Sequence, residues 1–278
     1  MPLDEVRRLR REGGGPFRTQ ALSPRAQEFE IAGPAGPLPL RVISPDAPRG
    51  VYLHVHGGGW TWGERHEQDE DLEAIAALGW ACIAASYRLA PEHPYPAAPD
   101  DCEAAALWLA REGERVFGTR RFIIGGDSAG AHLALVTLLR MRDRSNIMPF
   151  AGANLVAGCY DLGLTPSVRN WGPEKLVINS RDMAMFTRNF CGERDRADPD
   201  ISPLYADLSG MPPMLLTVGT KDLLLDDSLF LAARLAAAGA PCELSVAPGG
   251  CHMFQRFPIP IAEKAHARIR AFFAGVGA

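Results

Sequence analysis

The sequence predicts an α/β fold, a mostly parallel eight-stranded sheet flanked by helices, with a helical segment inserted late in the chain. Three observations carry this expectation. Short β-type runs alternate with amphipathic stretches along the 278 residues, the pattern of a parallel sheet covered by helices. Inner runs such as Phe122-Ile123-Ile124 are continuously apolar, as strands buried on both faces must be. The stretch from Tyr160 to Pro203 has no strand-like run and is too long for a simple connection.

The predicted strands, in order, are Ala26 to Ile31, Leu38 to Ser44, Gly50 to His56, Trp80 to Tyr87, Arg121 to Gly125, Gly152 to Ala157, Met214 to Val218 and Cys242 to Val246. Gly33, Pro34, Gly36 and Pro37 separate the first two, which therefore read as an antiparallel hairpin at a sheet edge. Apolar residues recur at helical spacing in Glu67 to Leu78, Asp100 to Glu112, Ala129 to Arg140, Asp226 to Ala238 and Ala262 to Ala274. The chain reads as one domain over 1–278, with a cap built from about residues 1–25 and 160–202. The last strand, 242–246, is short and lightly charged and is expected at a sheet edge, where pairing with a second copy would make a homodimer.

A net charge of -4 argues against a general phosphate-backbone binder, so no nucleic acid is expected as partner. No apolar run is long enough to span a bilayer, so no membrane is expected either. Met1 to Arg11 mixes acidic and basic residues with no apolar stretch behind them, which does not fit a secretory signal and leaves the cytoplasm as the expected compartment. Six scattered cysteines include no Cys-x-x-Cys pair, so they are expected to be small buried apolar residues rather than metal ligands or a disulfide framework. Cys251 precedes a histidine, but adjacent side chains point apart, which disfavours a cysteine nucleophile.

Gly126-Asp127-Ser128-Ala129-Gly130 follows a predicted strand and opens a predicted helix. That context is what a nucleophile elbow requires: a serine on a tight strand-to-helix turn, with glycines leaving room for close packing. The turn lifts the Ser128 hydroxyl above the sheet at a helix N-terminus, where the dipole favours developing negative charge. His56-Gly57-Gly58-Gly59-Trp60 follows an earlier strand, and successive glycines let backbone N–H groups converge on a substrate oxygen. A serine nucleophile needs a base, and the base needs an orienting carboxylate, here in the order serine, acid, histidine. His252 lies in a loop just past the last strand, whereas His266 falls inside the terminal helix, on its expected solvated face. His132 should point away from the hydroxyl and pack, and His56 should fix its own loop by hydrogen bonds. Asp226 and Asp227 read as first-turn residues of the next helix, so Asp222, which follows the penultimate strand directly, is the choice of acid, with Asp226 the fallback.

These motifs, together with Tyr87-Arg88-Leu89-Ala90-Pro91-Glu92-His93-Pro94-Tyr95-Pro96, Ser202-Pro203-Leu204-Tyr205 and Gly219-Thr220-Lys221-Asp222, resemble the hormone-sensitive-lipase-like bacterial carboxylesterases over about residues 40 to 275. The resemblance implies an α/β-hydrolase fold, a small-molecule ester substrate, no cofactor and no metal, catalysis by Ser128, Asp222 and His252, and oxyanion donors at the amides of Gly58, Gly59 and Ala129. It also implies a cap from the N-terminal arm and the 160–202 insertion. Three departures stand out: the arm is short, Met253 follows the histidine, and Ala131-His132 continues the elbow. Trp60, Asp127, Tyr160, Trp171 and Met253 are the candidate pocket residues. Trp60 and Trp171, with Met183, Met185 and Phe186, are expected to crowd the acyl side and favour chains of about two to six carbons. Trp60 also occurs in arylformamidase-like relatives, which keeps an amide substrate open. Plant gibberellin receptors resemble the same fold but lack a working triad histidine, and His252 is present here, so a non-catalytic ligand-binding receptor is the weaker reading.

Overall fold

The computed structural model describes residues 3–12 and 14–276. Eight strands form one sheet: β1 (Gln27–Gly33), β2 (Gly36–Ile43), β3 (Gly50–Val55), β4 (Trp80–Ala85), β5 (Phe122–Asp127), β6 (Phe150–Val156), β7 (Met214–Lys221) and β8 (Cys242–Cys251). Their spatial order is β1-β2-β4-β3-β5-β6-β7-β8. β1 and β2 form the expected antiparallel hairpin, β2 pairs antiparallel with β4, and the remaining pairs are parallel. β8 closes the sheet as an edge strand and runs five residues beyond the predicted Val246, to Cys251.

Every residue of β3, β4 and β5 is buried, because helices cover both faces. Period-two alternation sorts their side chains. Val51, Leu53, Ile124 and Leu216 join one core with α3 (Ala97–Phe117), α4 (Ala129–Ser145) and α7 (Leu225–Ala237) through Leu109, Leu135, Leu138, Leu231 and Leu235. Tyr52, Cys82, Ile123 and Leu215 face the other way, against α2 (Asp69–Ala76) and α8 (Pro260–Gly275) through Leu72, Ala76, Ile269 and Phe273. α4 is buried along its length from Ala129 to Met141, so it has no polar face to betray its orientation in the sequence.

A third apolar cluster lies at the C-terminal ends of the strands. There the segment between β6 and β7 contributes α5 (Pro166–Trp171) and α6 (Ser180–Cys191), whose Val168, Met183, Phe186 and Phe190 pack with Val55, Trp60, Tyr87 and Ala129. Asn179 starts α6 with a reciprocal capping box to Asp182, satisfying two backbone donors that would otherwise be orphaned. The N-terminal helix α1 (Leu3–Arg11) is tied over the same region by Arg7, which donates to the Thr61 and Ala90 carbonyls and bidentately to Glu92. Among the described residues no helix is long and apolar enough to cross a membrane.

Asp226 and Asp227 sit in the first turn of α7, as expected, but they serve the incoming segment rather than their own helix. Asp226 accepts from the Ser167 amide at 2.7 Å. Asp227 is fully buried and accepts from the amides of Tyr160 and Asp161 at 2.6 and 3.0 Å and from the Thr165 hydroxyl at 2.8 Å. Burial pushes its carboxyl up to about 7, against the pull of those three donors.

Because the folded protein holds this proton where the unfolded chain has lost it, the contribution of Asp227 to stability falls as pH rises from about 4 to about 7. Asp227→Asn keeps the shape and stays neutral. Thermal melts from pH 5 to 8 should therefore show the variant gaining on the wild type as pH rises, and a pH-independent difference would contradict the assignment.

Candidate active site

Ser128 stands between β5 and α4 with φ 54° and ψ -120°, a strained conformation for a residue with a side chain. Its surroundings enforce it. Its amide donates to the Val156 carbonyl at 2.8 Å, and its carbonyl accepts the His132 amide of the starting helix at 3.2 Å. On either side, a Cβ at Gly126 or Gly130 would collide with the carbonyl oxygen of Val55 in β3. Only glycine lets strand, turn and helix approach this closely.

His252 arrives from the far end of the sheet. β8 delivers it just past Cys251, and Asp222 follows the end of the neighbouring β7. The Ser128 hydroxyl donates to His252 Nε2 at 3.1 Å, and Nδ1–H donates to the Asp222 carboxylate, 3.1 and 3.0 Å from its two oxygens. The Leu224 amide also donates to Asp222 Oδ1 at 2.9 Å, so the carboxylate has a second donor fixing it. Asp222 and His252 are both buried. An imidazole so placed can take the serine proton while its other nitrogen stays fixed by the carboxylate.

The other histidines near the elbow are held neutral. His56 Nδ1–H donates to the Gly57 carbonyl at 2.8 Å, and its ring stacks on Tyr87 with centroids 4.2 Å apart. His132 accepts from Trp60 Nε1 at 3.1 Å and donates to the Ile201 carbonyl at 2.9 Å. Burial lowers each to about 4. Both fit the packing and loop-fixing places expected of them. His266 differs from expectation: it is half-buried, and its Nε2–H donates to the Gln255 carbonyl at 2.9 Å.

The glycine loop leaves β3 beside the elbow. Gly58 and Gly59 take φ of 119° and 59°, and the Gly58 carbonyl accepts the amides of Thr61 and Trp62 at 3.1 and 3.0 Å. The ring of Phe186, from α6, lies where a Cβ on Gly59 would be.

A cavity of about 340 Å³ opens over these groups, lined by Ser128, His252, Gly58, Gly59, Asp127 and Met253, and walled by Trp62, Phe186, Ile178 and Phe17. Asp127 accepts from Gln68 Nε2 at 2.6 Å. Three candidate pocket residues lie elsewhere. Trp60 is fully buried and stacks on Phe190 at 4.6 Å. Tyr160 is sealed in the main core. Trp171 is half-buried against the same apolar cluster as Phe186, outside the cavity lining, and donates to the Glu174 carbonyl at 2.8 Å. Large aromatics are more often core than lining. Sequence reasoning did not find Val6, Arg10, Phe17 and Arg256, which reach the same cavity from the two ends of the chain. Among the described residues no cluster of histidine, cysteine or carboxylate side chains is arranged to hold a metal ion, and all six cysteines are free.

Residues 52–256 match the family of the α/β-hydrolase fold. The chain is 33% identical to Esterase LipI of Mycobacterium tuberculosis over 257 residues, covering 88% of this chain and 80% of that protein. The Pyrobaculum calidifontis esterase structure superposes with a TM-score of 0.89 at 29% identity, over 100% of this chain and 94% of that one. A hormone-sensitive lipase from a metagenome library superposes at 0.84 with 30% identity, over 99% and 91%. The chain belongs to the α/β-hydrolase fold family, within it to the hormone-sensitive-lipase-like carboxylesterases, and is a carboxylic ester hydrolase.

Placing a methyl group at position 130 tests the elbow's packing. Gly130→Ala forces the Val55 carbonyl and the helix start apart, and overpacking of this kind costs about 1–3 kcal/mol. The melting temperature should fall by several degrees and turnover should fall with it. A variant unchanged in both would remove the close approach as a constraint.

Proposed function

We propose that the protein hydrolyses short-chain acyl esters through a Ser128–His252–Asp222 triad and an acyl-enzyme intermediate. The observation that carries this reading is the unbroken hydrogen-bond chain from the Ser128 hydroxyl through His252 to Asp222, opening into the cavity. His252 takes the Ser128 proton as the oxygen attacks the ester carbonyl. The amides of Gly58, Gly59 and Ala129 receive the negative charge on the tetrahedral oxygen. As the intermediate collapses, protonated His252 gives its proton to the leaving alcohol, and the carbon–oxygen ester bond breaks. Water then enters, loses a proton to His252, and releases the acid from Ser128. Asp222 holds the imidazole in its productive tautomer throughout and stabilises the imidazolium.

The short-chain preference rests on size. A cavity of about 340 Å³ lies at the low end of small-molecule pockets, and Phe186 and Trp62 wall it. An added methylene gains about 0.8 kcal/mol when buried and nothing once it meets a wall. We assign the capping role to α1 and the segment 160–202, which pack over the strand ends. Trp60 is turned into the core and does not line the cavity.

Ser128→Ala should lower kcat about a thousandfold or more with the fold intact, and an organophosphate should label the Ser128 peptide alone. His252→Asn should be equally damaging, while His132→Asn should retain most turnover; the reverse pattern would move the base elsewhere. Across a series of aryl esters of increasing acyl length, kcat/KM should peak between about two and six carbons. A maximum at long chains, or activation at an oil–water interface, would refute the short-chain reading.

A further inference from the structure

Among the described residues, the two buried arginines, Arg41 and Arg140, and the half-buried Arg88 are held by carboxylates. Arg41 is bidentate to Asp69, Arg88 to Asp101, and Arg140 bonds Asp200 and Asp100. Arg10 and Arg256 are half-buried, have no carboxylate within hydrogen-bond distance among the described residues, and both line the cavity that holds Ser128 and His252. Arg10 comes from α1 and Arg256 from the turn after His252. A guanidinium offers five N–H donors. Among the described residues, Arg256 uses one of them, to the Glu67 carbonyl at 3.2 Å, and Arg10 makes no hydrogen bond, its nearest carboxylate oxygen on Glu67 lying 3.6 Å away. The Nε atoms of both are buried without a partner. Each guanidinium is instead laid against a ring, Arg10 over Trp62 at 5.3 Å and Arg256 over Phe17 at 4.7 Å. Stacking fixes the planes and leaves the N–H edges free.

The cavity lining carries three cations, Arg10, Lys175 and Arg256, and three carboxylates, Glu67, Asp127 and Asp182. Lys175 pairs with Asp182 at 3.0 Å and Asp127 accepts from Gln68, so among the described residues Glu67 is the lining carboxylate in ion-pair reach of Arg10. Burial depresses the Arg10 pKa, and repulsion from Arg256 depresses it further against the pull of Glu67. Arg10 and Arg256 also line an adjoining recess of about 220 Å³ together with Phe17 and Glu67, so the pair stands where the two spaces meet.

Building on the esterase reading, we propose that Arg10 and Arg256 form an anion subsite for a carboxylate carried on the substrate away from the scissile bond, making the preferred substrate an ester that is itself an acid. The two planar forks match a carboxylate's paired oxygens. A substrate carboxylate brings acceptors to the unused N–H groups.

The test compares monomethyl glutarate with its isosteric amide, methyl glutaramate, and acetoxybutanoate with acetoxybutanamide, so that charge is placed first on the acyl side and then on the alcohol side. Turnover is followed by pH-stat in the full-length protein. For one pair, kcat/KM should favour the carboxylate by about tenfold or more, the scale of a charged hydrogen bond. That ratio should collapse in both Arg10→Gln and Arg256→Gln and be largely kept by Arg10→Lys. Because each ratio is internal to one variant, a general loss of activity cancels. Ratios near one for both pairs in the wild type, or unchanged in both glutamine variants, would overturn the subsite while hydrolysis of the neutral amides kept the esterase reading. If none of these esters is hydrolysed and Ser128 resists an organophosphate, the esterase reading fails instead. Calorimetry of glutarate with the Ser128→Ala protein then decides the subsite alone: binding weakened by Arg10→Gln supports it, and no binding overturns it.

Discussion

The contact on which the site depends is between backbones: the Val55 carbonyl of β3 pressed against Gly126 and Gly130 on either side of Ser128. β3 and β5 are neighbours in the sheet, with Val55 opposite Gly126. The chain leaving β3 and the chain leaving β5 therefore emerge side by side. One carries the glycine loop and the other the serine. Had either glycine a side chain, α4 would stand off from the sheet and the serine would lose the strained turn that lifts it. The strain at Ser128 is sustained by a helix buried along most of its length and by the strand pairs on both sides. His252 and Asp222 come from the opposite end of the sheet. β7 and β8 run parallel and finish next to one another, with Lys221 paired to Cys251, one residue before Asp222 and His252 respectively.

Around that rigid centre, buried ion pairs tether the helical segments. Arg41 holds Asp69 at the start of α2, while Arg140 on α4 gathers Asp100 and Asp200 from two separate segments. Asp227 gathers three donors from the stretch that leaves β6. Such pairs add little net stability over apolar packing, but each fixes one segment in one place, because an unpaired buried charge is so costly. The segment over the site is thereby held by directional contacts as well as by its apolar face.

The fold and the serine, acid and histidine positions were legible in the sequence because each is marked by local chemistry: apolar runs of strand length, a glycine-flanked serine after one of them, an aspartate and a histidine directly after two others. The lining was much less so. Phe186 was among the residues expected to crowd the acyl side and does wall the cavity, but Trp60, Tyr160 and Trp171 resemble it in composition and lie elsewhere. Nothing in a sequence tells which way an aromatic turns once several apolar surfaces compete for it. Arg10 and Arg256 were invisible for a different reason. They are 246 positions apart, each is unremarkable in its own stretch, and their shared surroundings exist only once both ends of the chain reach the same cavity.

Phe186 occupies an unusual position, since its ring rests where a side chain on Gly59 would be. The same ring thus bounds the cavity and braces the glycine loop beside Ser128. Carving the cavity wider at this residue is therefore not a change of volume alone. Trimming the ring removes the buttress of Gly59 in the same stroke, so the width of the cavity and the support of the loop depend on one side chain. Remodelling this enzyme for larger substrates would have to supply a new support for the loop from some other residue, or accept a slower catalyst.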